Sequence, residues 1–286
     1  MRKNSPWLIL ATILLLVWSL LPIYWMVRMA FLTPAQITEF PPPIFPTHLN
    51  VASFFNVLGY DHALANGTMM RASGQANQVL HGLQNSLIVS IIVTAITLVI
   101  VIPLSYVFAR LEFRFKNVLL NAVLLAVALP PVSTLIPFYS MFVQLKLAGT
   151  LTGLVLVDLT LTVPFVAWML IGYFRNLPPV ERLARVDGYT RLETLFFLIV
   201  PMAKSGVAVA AVISFLFAWN EFTFALILVN GTTANTLPTA ISGFLFQNPE
   251  PSNLAACIVI TIIPPALVAY FLQRHVAEMS LVDPVR

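Results

Sequence analysis

Long apolar stretches separated by short polar segments dominate the pattern of this chain. A helix needs about 20 apolar residues to cross a hydrocarbon core of roughly 30 Å. Stretches near or above that length are Trp7–Phe31, Ser86–Phe108, Val118–Val143, Leu151–Phe174, Val207–Val229 and Leu254–Leu272. Because backbone groups in lipid must pair within their own segment, each stretch is predicted to be a helix. The pattern predicts an all-α membrane protein with six transmembrane helices in a single domain, residues 1–286.

The third, fourth and sixth of these stretches contain prolines that we expect to affect their helices. Each removes a backbone donor and tends to kink or break a helix. Those in the third, fourth and sixth stretches are Pro130, Pro131, Pro137, Pro164, Pro264 and Pro265. We expect them to interrupt the helices, as suits a protein that opens and closes around a cavity. The alternative is that prolines are simply more frequent in membrane helices than in soluble ones.

The composition agrees with a membrane setting. Hydrophobic residues make up 59% of the chain, charged residues 9%, and the mean hydropathy is +0.91, which excludes an ordinary soluble domain. The first stretch is too long for the apolar region of a cleaved signal peptide. The lone Cys257 can form no internal disulfide.

The positive charges predict the orientation. Lys and Arg concentrate in cytoplasmic segments of membrane proteins. With the N-terminus inside, only Arg28, Arg71 and Lys146 lie outside, and the other twelve of the 15 basic residues are cytoplasmic: Arg2, Lys3, Arg110, Arg114, Lys116, Arg175, Arg182, Arg185, Arg191, Lys204, Arg274 and Arg286. This predicts cytoplasmic termini, an exoplasmic segment 33–85, a cytoplasmic loop 175–205 and a cytoplasmic tail 273–286. The basic sequence pI of about 9.4 then reflects topology, and no nucleic-acid partner is expected.

The loop 175–205 is the longest predicted cytoplasmic segment. Pro178 and Pro179 suit the first turn of a helix, Glu181 favours its positive end, and Gly188 can end it in a left-handed conformation. This predicts a helix of about two turns. Its apolar stripe at spacings i, i+3 and i+4 is Val180, Leu183 and Ala184, with Arg182 and Arg185 beside it.

A second short helix is predicted further along the loop. Thr190 and Glu193 have the spacing of a capping box, and the helix would continue through Leu195 and Phe197 until Pro201. Helices this short are marginal alone. They either dock on a partner surface or lie on lipid headgroups with their arginines toward anionic lipid.

The loop resembles the "EAA" loop in permease subunits of binding-protein-dependent importers of the ATP-binding cassette class. The family pattern is Glu-Ala-Ala, three residues, Gly, nine residues, Ile-x-Leu-Pro. Here Arg182-Leu183-Ala184, Gly188 and Leu198-Ile199-Val200-Pro201 keep both spacings, and Asp187 completes the Asp-Gly pair. Asn85-Ser86 and Trp219-Asn220-Glu221 are similar to the MalG-like sugar permease branch, and the resemblance covers nearly the whole chain.

The resemblance implies a type I importer permease fold (MetI-like) and a set of partners. These are a second, MalF-like permease, two ATPase subunits and an extracytoplasmic solute-binding protein, assembled in the bilayer of the inner membrane. The loop residues that would contact the ATPase are Glu181, Arg182, Leu183, Ala184, Arg185, Asp187, Gly188 and Pro201. The sequence has no phosphate-loop motif, so ATP and Mg²⁺ would bind to the ATPase, and this chain would need no cofactor and catalyse no reaction itself.

Two positions depart from the family pattern. Arg182 replaces the motif's Glu and Leu183 replaces its first Ala. If that Glu pairs with a basic group on the ATPase, the pairing must be altered here or taken over by Glu181. The tail 273–286 also lacks the Gly-rich ending common in the branch.

Polar residues inside the apolar stretches are candidates for the solute pathway. They are Asp158, Trp219, Asn220 and Glu221. An ionisable group at membrane depth is costly unless it faces a cavity, water or a partner. Interhelical hydrogen bonds that fix packing are the alternative. The histidines lack metal-ligand spacing, so no metal site is expected.

The sequence therefore predicts a permease subunit that forms half of the translocation pathway of a carbohydrate importer. An importer of the same class for an amino acid, polyamine or phosphate is the nearest alternative. A secondary transporter should show inverted repeats and coupling carboxylates. A membrane enzyme should show a nucleophile with its base, or clustered metal ligands.

Overall fold

The computed structural model describes residues 6–64, 67–128, 130–247 and 249–279. Arg2, Lys3, Arg286 and the end of the predicted tail lie outside the described residues. In chain order the elements are α1 Pro6–Ala30, α2 Pro34–Thr38, α3 Ala52–Val57, β1 His62–Ala63, β2 Met69–Met70, α4 Gly74–Arg110, α5 Lys116–Ala128, α6 Pro131–Gln144, α7 Leu151–Arg175, α8 Glu181–Val186, α9 Arg191–Glu193, a π-helical segment Thr194–Ile199, α10 Val200–Met202, α11 Lys204–Trp219, α12 Thr223–Leu228, α13 Leu237–Phe246 and α14 Pro251–Met279.

The predicted helical membrane architecture is confirmed. The described residues contain five helices long and apolar enough to cross a membrane, or six if α5 and α6 form one broken span. The third stretch differs from the expectation of one kinked span, because α5 and α6 meet at a bend of 94°. Pro130 has extended backbone and Pro131 opens α6, where the missing N–H has no intrahelical partner to lose.

The other internal prolines do not interrupt their helices. Helix α7 continues through Pro164, and α14 continues through Pro264 and Pro265. The expectation that these three residues break the fourth and sixth stretches is therefore wrong. Neighbouring helices and local adjustments can compensate for the missing donors within a membrane bundle.

The chain divides into two compact units, of which the first covers residues 1–82 and 239–263. The predicted exoplasmic segment 33–85 is more regular than a loop. It contains α2, α3 and an antiparallel hairpin in which His62 pairs with Met70, and α4 begins at Gly74, well before the apolar stretch. The buried Arg28 lies 4.3 Å over the Trp25 ring and donates to the Pro43 carbonyl.

The second unit covers residues 83–238 and 264–286 and contains both candidate sites. One apolar cluster joins residues of α4, α7 and α12, including Val93, Leu154 and Phe224. A second joins the ends of α4 and α7 to the loop, including Phe174, Leu195 and Ile199. Burial of the last two side chains anchors the loop to the helices, since each buried large aliphatic contributes about 1.5–3 kcal/mol.

Asn85 and Ser86 hold the segment that follows α12. The Asn85 side-chain amide donates to the carbonyls of Thr233 (3.0 Å) and Asn235 (2.8 Å). The Ser86 hydroxyl accepts the backbone N–H of Leu237 at 2.9 Å. These bonds fix the start of α13, a short apolar helix that the hydropathy pattern did not predict.

Candidate functional site

Helix α8 is the first helix of the loop 175–205, and hydrogen bonds define its C-terminal end. It begins at Glu181, after Pro178 and Pro179 rather than at them. At its end the N–H of Gly188 donates to Arg185 O (3.2 Å) and the N–H of Tyr189 donates to Ala184 O (2.9 Å). Gly188 has φ +87°. This is a Schellman ending, and the predicted left-handed Gly188 is confirmed.

The apolar side chains of α8 point in two directions. Ala184 is only 2% exposed, and Val180 packs against the apolar cluster of the helix ends. Leu183 is 69% exposed. The prediction that these three residues form one stripe is therefore wrong, because two of them anchor the helix to its own chain. Several apolar side chains of the loop are exposed, and we call three of them, Leu183 and Val186 of α8 and Leu192 of α9, the loop surface.

The second part of the loop begins with the predicted capping box. Glu193 N–H donates to Thr190 Oγ1 at 3.3 Å, and Thr190 N–H donates to Glu193 Oε2 at 2.7 Å. Hydrogen bonds from the side chain and then the backbone of Thr190 lower the pKa of the Glu193 carboxyl. The helix does not stop at Pro201 as predicted, because the π-helical segment precedes it and α10 includes it. A wider turn is one way to accommodate a residue without an N–H.

Arg110 clamps the base of the loop. Its guanidinium donates to the carbonyls of Leu177 (2.6 Å) and Pro178 (3.2 Å), and its Nε lies 3.2 Å from Glu181 Oε1. Both side chains are largely buried. Glu181 is therefore paired within its own chain, and the suggestion that it replaces the motif's Glu toward an ATPase does not fit this geometry.

Three of the four candidate pathway residues, Asp158, Asn220 and Glu221, line a partly open cavity of 440 Å³. Asp158 and Thr162 of α7 form one wall, and Asn220 and Glu221 form another at the break between α11 and α12. Pro131 at the start of α6 also lines it. Two interrupted helices thus border the same cavity, as is common at membrane binding sites, where irregular backbone is tolerated next to a cavity.

The two carboxylates of this cavity have different environments. Glu221 caps α12, with Oε1 accepting the N–H of Phe224 (2.7 Å) and Oε2 accepting the N–H of Ala225 (2.9 Å). Asp158 is only 1% exposed, and neither carboxylate oxygen has a hydrogen-bond partner within the described residues. A buried, unsatisfied carboxylate is costly, so Asp158 is the group that most needs an external partner.

Asn220 and Trp219 also differ from each other. The Asn220 amide donates to Leu216 O at 2.8 Å. Asn220 nevertheless remains exposed and lines the cavity. Trp219 is buried and stacks on Phe215, with ring centroids 5.7 Å apart. Trp219, a candidate for the solute pathway, therefore does not line the cavity in this conformation.

The sequence interpretation missed several residues of both regions. Val186 and Leu192 of the loop surface, the Arg110 clamp, and Thr162 of the cavity were not selected. The i, i+3 spacing of Leu183 and Val186 was a usable signal, whereas the Arg110 clamp depends on contacts distant in sequence. Over the part of the chain that the structure describes, no group of three or more His, Cys, Asp or Glu side chains could hold a metal ion.

The fold and these regions together define a multi-pass membrane transport subunit with interrupted helices around a cavity and a short-helix loop. Residues 101–278 match the family described as the binding-protein-dependent transport system inner membrane component, and the chain belongs to that family.

Named relatives extend the likeness over the whole chain. The sulfoquinovosyl glycerol transport system permease protein SmoH of Agrobacterium fabrum is 30% identical over 280 residues, 96% of this chain and 92% of that protein. The trehalose transport system permease protein SugB of Mycobacterium tuberculosis is 30% identical over 284 residues, 98% and 97% of the two chains. A chain of a bacterial ABC transporter that imports the acidic polysaccharide alginate shares the fold, with a TM-score of 0.75, 18% identity and coverage of 96% and 98%.

Proposed function

We propose that this chain forms half of the translocation pathway of a carbohydrate importer and couples to a separate ATPase through the loop 175–205. Support comes from relatives named for sulfoquinovosyl glycerol, trehalose and trehalose/maltose transport. An importer of the same class for an amino acid, polyamine or phosphate is the alternative.

The partners of this proposal are a MalF-like permease, two ATPase subunits and an extracytoplasmic binding protein. ATP and Mg²⁺ bind to the ATPase subunits, and this chain is non-catalytic. Both termini and the loop 175–205 lie on the cytoplasmic side of the inner membrane, as the distribution of Lys and Arg indicates. Closure of the ATPase pair moves the loop and switches the helices between inward-facing and outward-facing states.

The loop surface is the observation that carries the proposed coupling. Leu183, Val186 and Leu192 are exposed on short helices that are marginal alone. Buried Ala184, Leu195 and Ile199 and the Arg110 clamp fix the loop to α4 and α7. Movement of a partner bound to the loop surface is therefore transmitted through the loop to α4 and α7.

The cavity of 440 Å³ is the proposed solute pathway. Asn220 supplies a polar group that is exposed to the cavity, and Asp158, which is buried in this conformation, accepts a hydrogen bond from a solute hydroxyl when the helices open. Glu221 shapes the cavity by capping α12. Trp219 supports the wall through packing.

The coupling is tested with two substitutions in the reconstituted complex. Gly188→Val strains the left-handed ending of α8, where a β-branched side chain costs roughly 1–2 kcal/mol, and Leu183→Asp places a charge on the loop surface. We expect each variant to insert normally and either lose the ATPase or hydrolyse ATP without moving solute. Binding-protein-stimulated ATP hydrolysis and solute uptake are measured together.

Two matched controls separate coupling from general damage. Gly231 also has positive φ (+72°), and a Cβ there meets nothing within 4 Å, as at Gly188; Gly231→Val therefore adds similar strain outside the loop. Leu49 is 69% exposed, like Leu183, and Leu49→Asp should leave the ATPase bound. Full coupling in both Gly188→Val and Leu183→Asp would falsify the proposed transmission.

A further inference from the structure

A second polar cavity, of 340 Å³, lies between the last turn of α4 and the loop 175–205. It is separate from the cavity at Asp158 and shares none of its lining residues. Its walls carry four arginines and one carboxylate. The polar lining includes Tyr106, Arg110, Glu181, Arg182, Arg185 and Arg191.

Among the described residues, the positive charges of this cavity outnumber the negative ones. Glu181, its carboxylate, is paired with Arg110. Arg182, Arg185 and Arg191 have no ion pair among the described residues. All three residues are exposed, so water and salt screen their mutual repulsion, but an anion placed between them can accept charge-assisted hydrogen bonds from more than one guanidinium group.

We propose that this cavity binds a phosphate group, supplied in the membrane by the headgroup of an anionic phospholipid. Guanidinium groups match phosphate oxygens in a two-pronged geometry. Tyr106 and Arg110 lie at the end of a membrane-spanning helix, and basic pockets at that level bind anionic headgroups. Arg182, one of its arginines, stands where the resembled motif has Glu.

The site is tested on the purified full-length chain in detergent by thermal unfolding. The probes are a soluble short-chain phosphatidylglycerol, a phosphatidylcholine of the same chain length, and inorganic phosphate. We expect phosphatidylglycerol to raise the Tm and phosphatidylcholine to leave it unchanged. The double variant Arg182→Gln with Arg191→Gln should weaken the phosphatidylglycerol affinity about 25-fold, at about five-fold for each arginine.

Two controls distinguish binding in this cavity from nonspecific attraction of the anionic lipid to positive charge. Arg114→Gln removes one positive charge from the loop between α4 and α5, outside the cavity, and should leave the affinity unchanged. Arg182→Lys keeps the charge but loses the planar guanidinium group. It should therefore lose less affinity for phosphatidylglycerol than Arg182→Gln. This variant also keeps the test informative if the double variant does not fold.

Each outcome decides the proposal. Stabilisation by phosphatidylglycerol alone identifies the lipid as the source, and equal stabilisation by inorganic phosphate identifies free phosphate, with the site supported in both cases. Stabilisation that survives in the double variant overturns it, as does the absence of stabilisation by either anion. In the latter case, loss of co-purifying ATPase in Arg182→Gln would assign the arginines to an acidic protein partner instead.

Discussion

Asp158 and Glu221 show how one type of side chain takes two roles in the same cavity. Glu221 accepts two backbone N–H groups at the start of α12, whereas neither oxygen of Asp158 has a partner within the described residues. Sequence alone placed both in the pathway, because each is an ionisable residue in an apolar stretch. The cap could not be assigned from sequence, since it requires the break at residues 220–222.

Glu221→Gln is expected to act on stability. The amide retains one acceptor but loses the negative charge at a helix N-terminus, so the complex should lose about 1 kcal/mol of stability with the uptake KM unchanged. Thermal unfolding of the purified complex and uptake kinetics are compared. A changed KM at unchanged Tm would show that Glu221 contacts the solute.

Asp158→Leu is expected to separate stability from transport. Leu has the same branched skeleton and removes the unsatisfied carboxylate, so the complex should gain about 1–3 kcal/mol of stability. Uptake should fall, because the solute loses a hydrogen-bond acceptor. Asp158→Asn, which keeps the shape and a polar group, is the control and should lose less uptake. Lower stability with normal uptake in Asp158→Leu would contradict the pathway role.

At the scale of elements, packing decides what local sequence leaves open. The pairs Pro130–Pro131 and Pro264–Pro265 are chemically alike, yet one separates two helices at 94° and the other lies within the continuous α14. The apolar stretches were predictable from length and hydropathy. The outcome at each proline was not, because it depends on neighbouring helices that can satisfy the freed backbone groups.

The contact between α7 and α11 depends on a glycine. A Cβ at Gly206 would lie 2.6 Å from a Tyr173 ring atom, whereas one at Gly172 meets nothing within 4 Å. We expect Gly206→Ala to destabilise the chain by about 1–3 kcal/mol through overpacking. Gly172→Ala should be stabilising by up to about 1 kcal/mol, from helix propensity. Thermal unfolding of the two variants in the same detergent tests this contrast, and equal effects would contradict it.

At the scale of the whole molecule, the membrane class and family were predictable from sequence, but the surface of the loop was not. Two orientations of α8 fit the spacing of its apolar residues equally well. Contacts of Val180 and Ala184 with the helix ends selected the one that exposes Leu183. Such contacts join segments far apart in sequence, so a local pattern cannot reveal them.

The proposed topology is tested with reporter fusions. Fusions after Lys116, Ser205 and Arg286 should report a cytoplasmic location, and one at Gly74 an exoplasmic location, because positive charge is retained inside during insertion. A paired alkaline phosphatase and fluorescent-protein reporter gives opposite signals on the two sides. An exoplasmic signal after Ser205 would place the loop out of reach of an ATPase.

The contacts of Arg110 couple the C-terminal end of the long helix α4 to the loop 175–205. The 37 residues of α4 are continuous through Pro103 and span about 55 Å. The clamp ties the end of this rod to the backbone at Leu177 and Pro178. Within the second unit, residues 83–110 of α4 span about 42 Å, so a rotation of about 5° at the clamp would displace the other end of that part by about 4 Å. We therefore expect a small movement of the loop to produce a larger displacement along this helix.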